Sequence, residues 1–146
     1  MIGALTLAAM AAVGFAGGLY RLGPPQFIGL PMRLATVLIA PALGEEAVFR
    51  GLLVPGRDET RRPWLAIGLV TLVFTLWHAV EATTFLPKAA PIFLRPDFLA
   101  CAAILGLGAA LIRWRTSSLW PAVGLHWLVV VIWQTWLGGP GLEALR

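Results

Sequence analysis

The chain has 146 residues, of which 59% are hydrophobic and 12% charged, with 16 glycines besides. With glycine included, roughly 70% of the chain is apolar against about 45–50% in soluble domains, which excludes a soluble globular domain, a disordered chain and a coiled coil. The net charge of +4 comes from 11 basic residues scattered among short loops without a basic stripe, so nucleic acid is excluded as a partner.

A span needs about 20 apolar residues. Five spans would fill most of this length, so the expected fold is all-α: a polytopic transmembrane bundle of about five helices, one integral membrane domain over 1–146. The first apolar run is Ile2–Tyr20. It lacks the basic start of a signal peptide and reads as a retained span. Gly23-Pro24-Pro25 breaks the chain, and a second run extends from about Met32 to Val54, interrupted by Glu45, Glu46 and Arg50. Pro55-Gly56 ends it, and residues 57–62 form a polar loop. Pro63 suits the first turn of a third helix running to Val80. Residues 81–96 carry Pro87, Pro91 and Pro96 and read as a loop at the membrane surface, with a re-entrant course left open. The fourth run, Asp97–Ile112, is short for a span. Ser117 and Ser118 are expected to cap a fifth helix that has Pro121 in its first turn and ends near Leu137.

Arg57, Arg61, Arg62, Arg113 and Arg115 fall on one side, and Arg21, Arg33, Lys88, Arg95 and Arg146 on the other. The tight cluster at 57–62 sets the expected orientation, with the N-terminus inside. The expected location is a bacterial inner (plasma) membrane.

Glu45, Glu46, Arg50, His78 and His126 interrupt the apolar runs. A charge at mid-span costs about 2.5–3.5 kcal/mol on insertion scales, so such residues pair or meet water. Glu46 and Arg50 are four apart and can pair on one helix face. Glu45 is rotated about 100° from Glu46, which leaves it for other work. Pro41 should kink or restart the helix and bring Glu45 near a new N-terminus. Trp64, Trp114, Trp120 and Trp136 read as an interfacial belt, while Trp77, Trp127 and Trp133 are candidates to line a cavity. Glu81, one turn after His78, marks the interface or orients the imidazole. Cys101 and Gly106-Leu107-Gly108 read as packing residues.

Two glutamates and two histidines in apolar spans suggest water activation. The two serines, Ser117 and Ser118, sit at a helix cap, and both aspartates, Asp58 and Asp97, lie in loops. Serine and aspartyl chemistry are therefore poorly supported. The H-E-x-x-H zinc motif is absent. No cofactor is expected, although zinc held by Glu45, Glu46, His78 and His126 stays open as an alternative.

Glu45-Glu46-Ala-Val-Phe-Arg50-Gly51 resembles the E-E-x-x-x-R motif of the CPBP family, the CAAX-prenyl-endopeptidase and bacteriocin-processing (Abi) membrane proteins. Phe74-Thr-Leu-Trp-His78 is similar to its F-x-x-x-H motif. The run from Ser118 to His126 resembles the approach to its third motif, a His followed four residues later by Asn or Asp. The likeness covers about residues 34–130. It implies an intramembrane endopeptidase acting near a membrane-embedded or lipidated C-terminal segment, with membrane lipids and a membrane-anchored peptide or protein as partners. Glu45, with His78, would activate water, Glu46 would pair with Arg50, and His126 would stabilise the oxyanion. Phe74 belongs to the second motif and would support the site.

One position departs from the pattern. Val130 stands where the family has Asn or Asp, and the chain contains no asparagine. Gln134, two turns beyond His126, is the candidate replacement donor. The short chain also resembles small members that accompany exosortase-like sorting systems, which implies cutting of the C-terminal anchors of exported proteins. A non-catalytic membrane partner or chaperone of the same fold is one competing reading, favoured by Val130; a small transporter or proton-conducting protein is another, for which a repeat would be expected and none is found.

Overall fold

A computed structural model describes residues 1–145; Arg146, counted above among the basic residues, lies outside them. Among the described residues the fold is all-helical, without strands. The main helices are α1 (Ile2–Gly17), α2 (Leu30–Val37), α3 (Trp64–Thr84), the short α4 (Ala90–Phe93), α5 (Pro96–Thr116) and α6 (Trp120–Trp136).

Two helices, α3 and α5, are long and apolar enough to cross a bilayer. Each has 21 residues, about 31 Å of helix. The surface of α3 shows why. Ile67, Val70, Phe74, His78 and Ala82 are buried, while Leu65, Leu69, Leu72 and Leu76 are more than half exposed. Both stripes follow helical spacing, so one apolar stripe packs inward and the other faces outward. An apolar outer face of this extent suits lipid.

The helix α5 packs against α1, α3 and α6. Small residues permit this close approach. A Cβ at Gly108 would collide with the Thr6 side chain of α1, and one at Gly106 would lie 3.1 Å from Phe74 Cδ1 and 3.3 Å from Arg50 Nη2. The fourth run is thus a full-length central helix. Its charged ends, Asp97 in the first turn and Arg113 and Arg115 in the last, complement the helix dipole and extend it past the apolar stretch.

The second run departs most from expectation. After Val37 the chain winds as π-helical turns over Leu38–Glu45 and again over Ala47–Leu52. Pro41 does not restart the helix. Its ring and missing N–H disfavour α turns, and the wider π winding accommodates it. Glu45 therefore lies inside a continuous helical segment rather than at a new N-terminus.

Other boundaries also shift. The helix α3 continues to Thr84, and the following segment folds back to bury Ala89 and Phe93. Ser117 and Ser118 do not cap α6, whose first residue follows Leu119 and which has no side-chain cap. Ser117 instead closes α5 in a left-handed conformation, φ 51°, and its hydroxyl donates to Asp58. That bond ties the polar loop to the α5–α6 turn. At the other end of α6, the Thr135 and Leu137 carbonyls accept from the backbone N–H of Gln26 (2.9 Å) and Arg21 (3.1 Å). The last-turn carbonyls, which lack helical partners, thereby fasten the α1–α2 connection over α6.

Candidate active site

Two clusters of polar side chains lie one on each side of Phe74. The π-helical segment supplies both glutamates. Glu46, fully buried, receives Arg50 Nη1 at 3.0 Å on Oε1, and His126 Nδ1 lies 2.9 Å from the same oxygen. An ionised carboxylate is only an acceptor, so Nδ1 carries the hydrogen and donates. The second His126 nitrogen is left for a cavity that the residue lines. The Arg50 guanidinium stacks on the Phe74 ring, 4.0 Å from its centroid, which compensates a buried cation whose Nε and Nη2 have no hydrogen-bond partner among the described residues.

The other cluster is Glu45, His78 and Glu81. One ligating atom from each lies within 4.8 Å of the others. His78 Nδ1 donates to the Phe74 carbonyl at 2.9 Å, a bond that only a protonated Nδ1 can make. In the neutral ring, Nε2 is then a free acceptor. Phe74, Phe93 and Phe98 pack edge-on around the imidazole at 4.9, 5.6 and 5.4 Å. Glu45 Oε2 is buried without a partner among the described residues. Phe74 also meets His126 edge-on at 5.9 Å, so a single ring separates the histidines.

Glu45, His78, Glu81, His126, Val130 and Gln134 all line one cavity of about 710 Å³. Its remaining wall is largely apolar and includes Trp77, Trp133, Phe93 and Phe98. Trp127 is not among its lining residues. Its indole N–H donates to the Leu34 carbonyl at 2.9 Å and joins α6 to α2. Cys101 is buried and lines the cavity from α5. Of the four residues considered as zinc ligands, Glu46 and His126 are bonded to each other, and the group with ligand spacing includes Glu81 instead. Its position one turn after His78 was the available sequence signal. Phe93 and Phe98 gave no signal, because their approach to His78 depends on the fold-back of the chain before α5.

The comparison with protein families matches residues 27–132 to "Type II CAAX prenyl endopeptidase Rce1-like". The chain belongs to this family. Curated proteins and solved structures give no match. Family membership, together with the two apolar helices, makes it an integral membrane protein of CAAX-protease type, whose substrates are membrane-associated. The match begins before α2 and ends in α6, and so takes in both polar clusters and Phe74.

Proposed function

We propose that this protein is a glutamate-dependent intramembrane endopeptidase that hydrolyses a peptide bond near a membrane-embedded or lipidated C-terminal segment. The observation that carries this reading is Glu45: a side chain with a buried carboxyl oxygen that has no partner among the described residues, beside His78, in the wall of a largely apolar cavity. In this reading Glu45 takes a proton from water as the oxygen attacks the scissile carbonyl, and His78 Nε2 orients that water. Glu46 holds His126 and Arg50 in place. With Nδ1 held by Glu46, the other ring nitrogen of His126 is the one that would face the developing oxyanion, donating to it when it carries a hydrogen. About five crossings, made by α1, α2 with its π-helical continuation, α3, α5 and α6, would set the bundle in a bacterial inner membrane.

Hydrolysis of a membrane-anchored reporter by the purified chain in lipid vesicles tests the reading. Wild type should cleave, and Glu45→Gln, which keeps the shape but not the base, should lose nearly all activity while remaining folded. Undiminished cleavage by Glu45→Gln overturns the mechanism.

A metal-dependent variant of the reaction is the second reading, favoured by the Glu45, His78 and Glu81 spacing. A histidine that donates Nδ1–H to a backbone carbonyl is also arranged as metal-binding histidines are. Stoichiometric zinc that follows activity through removal and re-addition would support it. Activity unaffected by strong chelators supports direct action of Glu45.

A further inference from the structure

Amide hydrolysis needs two proton movements. The base removes a proton from water, and the departing nitrogen must gain one, since an amide anion is too poor a leaving group to depart unaided. The reading above supplies the base. It leaves the donor unassigned, and the neighbouring groups are largely committed. His78 Nδ1–H is bound to the Phe74 carbonyl and His126 Nδ1–H to Glu46, and the other His126 nitrogen is assigned to the oxyanion in that reading. Arg50 is fully buried, paired with Glu46 and stacked on Phe74. Of the other ionisable side chains in the cavity wall, Tyr20, Cys101 and Glu81, it is Glu81 that stands beside Glu45 and His78. It is half-buried, it lies on the same face of α3 as His78, and one of its oxygens is within 4.8 Å of both Glu45 and His78.

Resting on the endopeptidase reading, we propose that Glu81 is a second catalytic carboxylate, the general acid that protonates the leaving amine. Two carboxylates this close in an apolar cavity repel when both are ionised, and in the resting state of the proposed cycle one of them, Glu81, carries a proton. In the first step, Glu45 takes a proton from water. The water oxygen bonds to the carbonyl carbon, and the carbonyl π pair moves to oxygen. In the second step that pair re-forms C=O, the C–N bond breaks with its electrons going to nitrogen, and the Glu81 carboxyl proton moves to nitrogen. The products are a carboxylic acid and an amine, with Glu45 protonated and Glu81 ionised. Transfer of the proton from Glu45 to Glu81 restores the starting state. Water is the only co-reactant.

An ester analogue tests this, because an alkoxide leaves with far less help from an acid than an amide nitrogen needs. The probes are a fluorescence-quenched peptide carrying S-farnesylcysteine followed by three residues, and the same molecule with the scissile amide replaced by an ester. The full chain is assayed in vesicles as wild type, Glu81→Gln, Glu81→Asp and Glu45→Gln. Glu81→Gln should lower amide turnover by about 100-fold or more and ester turnover by less than about fivefold, since loss of acid catalysis is worth about 10²–10⁴-fold. Glu81→Asp should recover part of the amide rate. Glu45→Gln should abolish both. Equal losses on amide and ester in a folded Glu81→Gln protein, or no loss on either, would overturn the role of Glu81 while leaving that of Glu45 standing. If Glu81→Gln unfolds, the Glu81→Asp protein decides, and an unchanged amide-to-ester ratio there overturns the proposal. Failure of wild type to cleave either probe would defeat the endopeptidase reading and this inference with it.

Discussion

His126 reaches Glu46 across 80 positions of sequence, Nδ1 to Oε1 at 2.9 Å, and meets there the oxygen that Arg50 already holds at 3.0 Å. One carboxylate oxygen thus joins α6 to the π-helical segment. The pair that the E-E-x-x-x-R spacing suggests is one part of a three-residue network that fixes the wall of the cavity.

Arg50→Ala should be strongly destabilising. Both Arg50 and Glu46 are fully buried, so the change leaves a carboxylate whose remaining partner is a histidine. Removing one member of a buried ion pair costs about 3–5 kcal/mol. Low yield and a lowered Tm in detergent are expected. An unchanged Tm would mean that Glu46 is solvated rather than enclosed.

Gly106→Ala should disturb the same network from α5. The added methyl would stand 3.1 Å from Phe74 Cδ1 and 3.3 Å from Arg50 Nη2, tighter than ordinary contact. Overpacking of this kind costs about 1–3 kcal/mol. Gly68→Ala, where a Cβ meets open space, is the control on α3 and should leave the Tm within about a degree or raise it slightly. A Gly106→Ala protein as stable as that control would show that Phe74 and Arg50 yield freely.

Much of this arrangement is legible in sequence because intramembrane charge is costly and therefore conspicuous. Glu45, Glu46, Arg50, His78 and His126 stand out against apolar runs, and the Glu46–Arg50 pair follows from helical spacing. The π winding is not legible. Pro41 signals a disturbed helix, but a kink, a restart and a π segment all satisfy it equally. Glu81 resembles any carboxylate at a span end until the chain after α3 is seen to fold back and share a cavity wall with it. The apparent shortness of the fourth run came from the charged last turn of α5, where Arg113 and Arg115 continue the helix beyond its apolar part. Ser117 shows that a residue suited to an N-cap can serve the preceding helix instead, once Asp58 offers its hydroxyl an acceptor.

That contact gives a pH-dependent tether outside the membrane-spanning segments. The Ser117 hydroxyl donates to Asp58 and holds its carboxyl below the usual carboxylate range. A carboxyl depressed in the folded state adds stability above its unfolded pKa, and that contribution is lost as the pH falls through the folded one. Ser117→Ala should raise the Asp58 titration midpoint, as read by carbon-13 NMR of the carboxyl carbon. The Tm difference between wild type and Ser117→Ala should be largest near neutral pH and vanish once Asp58 is protonated. A difference that persists in acid would trace instead to the bond from the Arg57 N–H to Ser117 Oγ.

The final prediction concerns the donor set on α6. His126, Val130 and Gln134 follow one another at intervals of four on one helix face, and all three line the cavity. His126 spends Nδ1 on Glu46, so in the proposed mechanism only its other ring nitrogen can serve the oxyanion. Val130 offers no hydrogen-bond donor, so on that mechanism the oxyanion would lack a second donor unless the Gln134 amide reaches it. Loss of one such donor costs about 100–1000-fold in turnover. Val130→Asn adds an amide one turn from His126 and should raise hydrolysis of the membrane-anchored reporter by up to about 100-fold, with little change in KM because the gain arises in the transition state. Gln134→Leu distinguishes the remaining possibility. If it sharply lowers turnover while Val130→Asn does little, Gln134 already serves as the second donor. A rise with Val130→Asn together with indifference to Gln134→Leu assigns the deficit to Val130. Folded proteins that leave the reporter uncut in every variant would instead identify the chain as a non-catalytic membrane partner that retains the family's fold.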